Sequence, residues 1–402
     1  MSGIIEKPMY KPFAFPKDGR PFIKKIHWVH VIFLFSMPLI GIFGIFTTPL
    51  QKNTLYFSLL FYLFSSLGIT AGYHRLWTHG TFKVTRPLEI FFVVAGSSAA
   101  QQSILHWVRD HRAHHRYTDT PFDPHSIREG FFHTYMGWLL INRDKSQLAY
   151  VDMSDLKASW LVRFQHKYYY PMAFICGFLL PTAICGLGWG DWVGGFFYAA
   201  VCRYLVVSQL TFLGNAFVHL VGSSAYGDTQ TSKDSLLVSL LTIGEGYHNF
   251  HHEFPNDYRT TAHFYQYDVS KWFIWFMAFL GLAYDLKVTP KEEVEKCYIQ
   301  TRINELNRRR AKFDFGPAPE KLPQYTPQEF IAQVNEYKKQ WMVIDGAIYD
   351  VSSFIDEHPG GKSFITSGIG KDMTNAFNGG VYQHHSVARN RLCQLRVGTI
   401  ID

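Results

Sequence analysis

Four nearly uncharged apolar stretches, Trp28 to Phe46, Thr54 to Tyr73, Pro171 to Leu187 and Val193 to Leu220, narrow what this chain can become more than any other feature. Each is long enough to cross the hydrocarbon core of a bilayer as a helix. Inside that core only a helix or a closed barrel satisfies its own backbone, so the expected fold is a mainly α membrane protein with four transmembrane helices. Lys7, Lys11, Lys17, Arg20, Lys24 and Lys25 precede the first stretch, which puts segment 1–27 on the cytosolic side by the positive-inside rule. Only Gln51, Lys52 and Asn53 separate the first two stretches, and the linker Gly188 to Trp192 between the last two has no Lys or Arg. Each pair therefore forms a hairpin that returns the chain to the cytosol.

Two further apolar segments need a different reading. Leu88 to Leu105 carries small residues from Gly96 to Ala100, and crossing there would separate His74 from His111. It is expected to be a buried, non-spanning helix that lines a site. Trp272 to Tyr284 is shorter than a span and is expected to pack on the cytosolic part or lie at the interface.

The reason to keep His74 and His111 together is a set of nine histidines. His111-Arg-Ala-His-His115 and His248-Asn-Phe-His-His252 place imidazoles at i, i+3 and i+4, one face of a helix. His74 and His79 are five residues apart, about 140° on an α-helix, so the helix is expected to end or unwind between them, with Gly80 as its last residue. His219 follows Asn215 by four. With the four-span topology, all nine fall on the cytosolic side, where His74, His79, His111, His114, His115, His219, His248, His251 and His252 read as a metal cage within a cytosolic helical cap. Imidazole suits iron, zinc, copper and nickel, so ligand type alone does not choose the metal.

Composition sets the remaining bounds. A length of 402 residues allows two or three domains. The formal charge of +7 is spread over termini and connecting segments. That distribution excludes a nucleic-acid stripe and fits a membrane surface or an acidic ligand. The five cysteines show no paired spacing, as expected of a reducing, cytosol-facing environment.

The sequence divides into an N-terminal segment 1–27, a membrane domain 28–288, a charged helix and proline-rich linker 289–324, and a compact domain 325–402. In that last part Trp341 to Val351 reads as a hairpin turning at Asp345-Gly346. Phe354-Ile-Asp-Glu-His358-Pro-Gly-Gly361 follows, and then Asp372 to Phe377 leads to Gln383-His384-His385. This closely resembles cytochrome b5. The resemblance implies a small α+β domain holding haem b between His358 and His384, with His385 the alternative. Two axial histidines leave no open position on the haem iron, so such a domain passes electrons. A one-electron carrier joined to a redox-inert cage would have no use, which favours two iron ions, a di-iron centre.

His74-Arg-Leu-Trp-Thr-His79 together with the two triplets resembles the membrane fatty acyl-CoA desaturases. The order, catalytic part first and haem part last, looks like that of the fungal delta-9 desaturases. His248 stands where front-end desaturases have Gln. The resemblance implies dioxygen-dependent desaturation of stearoyl-CoA or palmitoyl-CoA in the endoplasmic reticulum membrane, both termini cytosolic. It also implies a cytochrome b5 reductase as donor, since no flavin or nicotinamide motif is present. One iron would take His74, His79, His111, His115 and His251. The other would take His114, His219, His248 and His252, with Asn215 acting through water. For the substrate it implies Arg109 and Asp110 at the CoA head group and Trp107 beside the acyl path. Gln102 and Asn142 stand where animal relatives have Asn and Arg; Phe212 replaces a Trp and Arg143 keeps a cation. Tyr62 and Ser66, on one face of the second span, would close the acyl tunnel. A membrane lipid hydroxylase and a membrane-anchored electron carrier with a structural metal site remain the alternatives.

Overall fold

The computed structural model describes residues 13–143 and 149–401; Lys7 and Lys11 of the basic lead-in lie outside them. Two compact units result, Met1–Arg302 and Ile303–Asp402.

In the first unit, α1 (Trp28–Thr47) and α2 (Lys52–Thr78) form one hairpin. The short strand β1 (Lys83–Val84) leads to α3 (Arg86–Ser98) and α4 (Ile104–Tyr117). Next, α5 (Trp160–Lys167) runs into the second hairpin, α6 (Tyr169–Trp189) and α7 (Trp192–Phe217). The unit's later part holds α8 (His248–Glu253), α9 (Val269–Phe279) and β2 (Ala283–Tyr284), which pairs antiparallel with β1. Among the described residues, α1, α2, α6 and α7 are the helices long and apolar enough to cross a membrane. Their outward faces are apolar as well: Leu39 and Phe46 on α1, Leu60 on α2 and Leu187 on α6 are all exposed. A surface of that kind suits lipid and is rare on a protein facing water.

Three boundaries differ from expectation. The segment Leu88 to Leu105 is buried and non-spanning, but it is not one helix. α3 stops at Ser98, and Ala100 and Gln102 take left-handed backbone angles, φ 54° and 75°. The Tyr169 hydroxyl accepts from the Gln102 amide at 2.8 Å, and Ser103 caps α4 by accepting from the His106 amide. The serine N-cap makes the restart favourable. The fourth span ends at Phe217, so His219 lies in the turn beyond it rather than on the helix. The third difference is at α2. Its last helical residue is Thr78, so it ends between His74 and His79 as expected, but not in α geometry. From Gly68 to Thr78 it widens into a π-helix, and the His79 amide bonds the His74 carbonyl at 3.3 Å. Hydrogen bonds from i to i+5 bring residues five apart near one face, which the 140° argument, built on 3.6 residues per turn, did not allow. Gly80, just past the end of the helix, takes a left-handed φ of 57°.

One cation lies buried in α7. Arg203 donates to the carbonyls of Ser98, Gly177 and Ala199, so it is satisfied by backbone alone.

The second unit holds a four-stranded sheet of β3 (Gln324–Tyr325), β4 (Trp341–Ile344), β5 (Ala347–Asp350) and β6 (Arg396–Ile400), in the order β3-β6-β5-β4. β4 and β5 form the expected hairpin: Ile344 opposes Ala347 across Asp345 and Gly346, both with positive φ. A two-residue turn of that kind matches the twist of the strands. Met342, Ile344, Tyr349, Ile365 and Phe377 make the core below it.

Candidate metal centre and haem pocket

Four elements converge at one end of the first unit. The π turn of α2 supplies His74 and His79, α4 supplies His111, His114 and His115, the turn after α7 supplies His219, and α8 supplies His248, His251 and His252. The nine imidazoles form two groups, each with its donor nitrogens within 4.8 Å of one another: His74, His79, His111, His115 and His251, then His114, His219, His248 and His252.

The donor chemistry tests whether metals fit. His114 Nδ1 lies 3.0 Å from the Asp123 carboxylate, and His252 Nδ1 lies 3.0 Å from Gln230 Oε1. Both partners are acceptors, so each Nδ1 carries the proton and each Nε2 presents a lone pair. Yet these two Nε2 atoms face each other at 3.2 Å. His74 Nδ1 likewise bonds Glu245, at 2.7 Å, which turns its Nε2 lone pair toward His251 Nε2 at 2.8 Å. The two lone pairs of His114 and His252 at 3.2 Å repel unless a cation lies between them. Neighbouring ligands on one ion with bonds of about 2.1 Å sit roughly 3.0–3.4 Å apart, a range that includes the 3.2 Å between His114 and His252. His79 Nε2 is buried with no hydrogen-bond partner among the described residues. Burial foremost, with the neighbouring histidines, holds His79, His111, His115, His248 and His252 well below the ordinary imidazole value. They are therefore neutral and able to ligate.

A layer of partners fixes the rings. Besides Glu245, Asp123 and Gln230, Thr231 Oγ1 lies 2.8 Å from His219 Nδ1 and is itself bonded to Asp119 at 2.7 Å. Burial would raise the Glu245 carboxyl, but the Arg75 guanidinium 2.7 Å away foremost, with His74, holds it down to about 2. Asp268 takes the other side of Arg75 at 2.9 Å. Sequence reasoning found none of these carboxylates. Glu245 lies three residues before His248, and Asp123 nine after His114; no periodicity marks them, and only the folded chain brings them to the rings. They supply the negative charge that nine neutral ligands lack. Glu245→Gln keeps an acceptor for His74 but removes the charge, and is expected to lower metal occupancy and turnover about 10- to 100-fold. Metal analysis beside a turnover assay checks it.

Two cavities adjoin the groups. Tyr62, Ser66, Trp107, Phe212 and Asn215 line a narrow one of about 160 Å³ together with His74, His111 and His248. Trp107 also stacks on His111 at 4.8 Å. Arg109, Asn142 and Arg143 line a second of about 720 Å³. Gln102 and Asp110 belong to both. Arg109 is paired with Asp110 at 2.7 Å.

In the second unit, the His358 and His384 rings face each other with centroids 6.5 Å apart. Their Nδ1 atoms lie 3.1 Å from the Gly361 carbonyl and 3.0 Å from the Phe377 carbonyl. A carbonyl only accepts, so both Nε2 atoms are free to ligate. The gap takes one metal atom with two bonds of about 2 Å and the two ring half-widths. His385 stands at the first boundary of the following helix, and its ring lies against Tyr382 instead. The glycines of His358-Pro-Gly-Gly are required: Gly361 sits at φ 99°, and a Cβ on Gly360 would come within 2.9 Å of the His358 ring.

The family pattern described as Fatty acid desaturase matches residues 52–284. The one described as Cytochrome b5-like Heme/Steroid binding domain matches residues 326–401. A Schizosaccharomyces pombe protein named Probable acyl-CoA desaturase is 43% identical over 377 residues, 94% of this chain and 78% of the relative. Acyl-CoA desaturase 1 of Saccharomyces cerevisiae is 39% identical, over 93% of this chain and 74% of its own. Stearoyl-CoA desaturase of Sus scrofa is 39% identical over 74% of this chain and 83% of its own length.

Proposed function

This chain belongs to the fatty acid desaturase family, and on that premise we propose that it is an acyl-CoA delta-9 desaturase converting stearoyl-CoA or palmitoyl-CoA to the cis-monounsaturated product. The observation that carries this reading is the narrow cavity whose wall includes histidines of both metal groups. An acyl chain lying in it has its methylenes beside the donor sets and away from water. Overall, the acyl-CoA gives up two hydrogens, dioxygen takes them with two further electrons and two protons, and two waters leave.

His74, His79, His111, His115 and His251 would hold one iron ion, and His114, His219, His248 and His252 the other, with Asn215 through a water. Bound there, the pair supplies the oxidising power that an unactivated C–H bond requires, with dioxygen as the oxidant. The protein's part is position and exclusion of water. Glu245, Asp123, Gln230 and Thr231 keep the rings of His74, His114, His252 and His219 each in one tautomer. Trp107 and Phe212 border the acyl path, and Gln102, Arg109, Asp110, Asn142 and Arg143 stand at the wider mouth for the CoA head group.

His358 and His384 would clamp haem b, which carries electrons in from a separate cytochrome b5 reductase. The division into 28–288, 289–324 and 325–402 then separates oxidation, tether and electron entry. Four apolar spans and the basic lead-in support a multi-pass protein of the endoplasmic reticulum membrane with both termini cytosolic.

Expression in a host lacking its own desaturase, followed by fatty-acid analysis, decides the matter. Monounsaturated C16 and C18 chains are the expected result. A hydroxylated product would assign the chain to lipid hydroxylation, and no dioxygen use with any acyl-CoA would leave an electron carrier.

Tyr62 and Ser66 give a sharper test. Ser66 is buried, and both residues line the cavity that His74 also lines. Ser66→Phe fills that end, and a packed wall accepts added volume only with strain. Stearoyl-CoA turnover is expected to fall roughly tenfold or more relative to shorter chains. Tyr62→Ala shifts preference the other way. Unchanged ratios in both variants place the tunnel end elsewhere.

A further inference from the structure

A second set of histidines lies outside the metal groups. His27 and His30 at the start of α1, His106 on α4 and His166 on α5 all line the larger cavity of about 720 Å³. The His27 and His30 rings stack with centroids 3.7 Å apart, and His106 meets His166 edge to face at 4.9 Å. The rings are held in place. His30 Nδ1 donates to the Leu139 carbonyl at 2.9 Å, and His166 Nδ1 bonds Ser103 Oγ at 2.7 Å. Among the described residues, none of the four joins a group with three converging donor atoms, and none has a carboxylate within ion-pair distance. They are neither a third metal site nor one half of buried ion pairs.

The charges facing them decide what the cavity accepts. From α4 come Arg109 and Asp110, which pair at 2.7 Å and cancel. Arg143 follows from the segment after Ile141, and its guanidinium is bonded to the Pro124 carbonyl. From α6 come only the phenols of Tyr169 and Tyr170. The sum is one uncancelled cation and four imidazoles around a space open to the acyl cavity, with which it shares Gln102, Asp110 and Trp138.

We propose that His27, His30, His106 and His166 form a proton-linked phosphate subsite that holds the nucleotide end of the acyl-CoA, taking up protons as the phosphates dock. The inference rests on the acyl-CoA reading above. Burial holds His27 and His106 below the ordinary imidazole value, so with the cavity empty they are neutral at pH 7. Phosphate oxygens beside them favour the charged form, and each proton taken up turns a hydrogen bond into a charge-assisted one. The sign follows directly. The pKa is raised in the complex, so affinity is full at low pH and is lost as pH rises through the bound-state value. Log affinity falls by up to about one per pH unit for each proton taken up.

The test is calorimetric titration of free CoA into the full-length, haem- and metal-loaded protein in detergent. Runs at pH 6, 7 and 8 use two buffers of different ionisation enthalpy. Proton uptake at pH 7, with affinity falling as pH rises, is the expected result. In His106→Gln/His166→Gln, amides keep the N–H donors but cannot charge, so both the uptake and the pH slope shrink; single His106→Gln gives an intermediate slope. Full metal occupancy of the two histidine groups, which lie in the same unit as His106 and His166, reports that each variant is folded. A stearoyl-pantetheine, which lacks the nucleotide, binds with no pH slope. CoA binding without proton uptake, or with the same slope in the double variant, overturns the subsite while leaving the desaturase reading intact. Failure of both CoA and stearoyl-pantetheine to bind at any pH overturns the acyl-CoA reading itself.

Discussion

Replacing His111 with alanine is expected to abolish desaturation while leaving a folded protein with a normal haem spectrum. His111 stands in the five-membered group, its Nε2 3.2 Å from that of His115, with Trp107 stacked on its ring. Removing it deletes one metal bond and opens a water-sized gap between the donor set and the acyl cavity. The loss should exceed the roughly 100-fold upper range for an outer partner such as Glu245. Bound metal should fall below two ions per chain. The helix itself survives, because Ser103 still caps α4 and alanine is the best helix former. Activity near that of the unaltered protein would remove His111 from the metal centre.

His358→Ala should give the complementary phenotype: no Soret band, metal groups still filled, and turnover down at least about tenfold for want of electrons. The His384 ring stays in place, tied to the Phe377 carbonyl and stacked on the Phe377 ring with centroids 4.3 Å apart. A single imidazole is then left to hold the haem. Added free cytochrome b5 should restore part of the turnover, which separates loss of electron supply from loss of the oxidising site. A normal haem spectrum in this variant would move the axial ligand to another residue.

Much of this was legible in the linear sequence because it depends on short-range spacing. The i, i+3, i+4 triplets need only a helix to point the same way, and α4 and α8 are those helices. The hairpin at Asp345-Gly346 and the His-Pro-Gly-Gly turn are likewise fixed by a few neighbouring residues. What escaped was tertiary. Glu245 and Asp123 look like ordinary surface acids until folding carries them to His74 and His114. The break at Ala100 to Gln102 depends on the Tyr169 hydroxyl, 67 residues away. The grouping of nine rings into five and four could not be read from spacing, since His114 and His115 are adjacent yet serve different groups.

The widened end of α2 constrains how the chain tolerates gain or loss of a residue. Hydrogen bonds from i to i+5 accommodate one residue more per closed turn than an α-helix does, so a π segment is equivalent to an insertion absorbed without a loop. Deleting a single residue just ahead of His74 and restoring regular pitch would leave every histidine in the gene product. It would turn His74 about 100° away from His251 and Glu245. Substitutions among the apolar residues of Gly68 to Tyr73 keep the register; a change of length there does not. In this stretch length is a constraint separate from residue identity, and two chains with identical histidine boxes but one residue's difference in this turn would not hold the same centre.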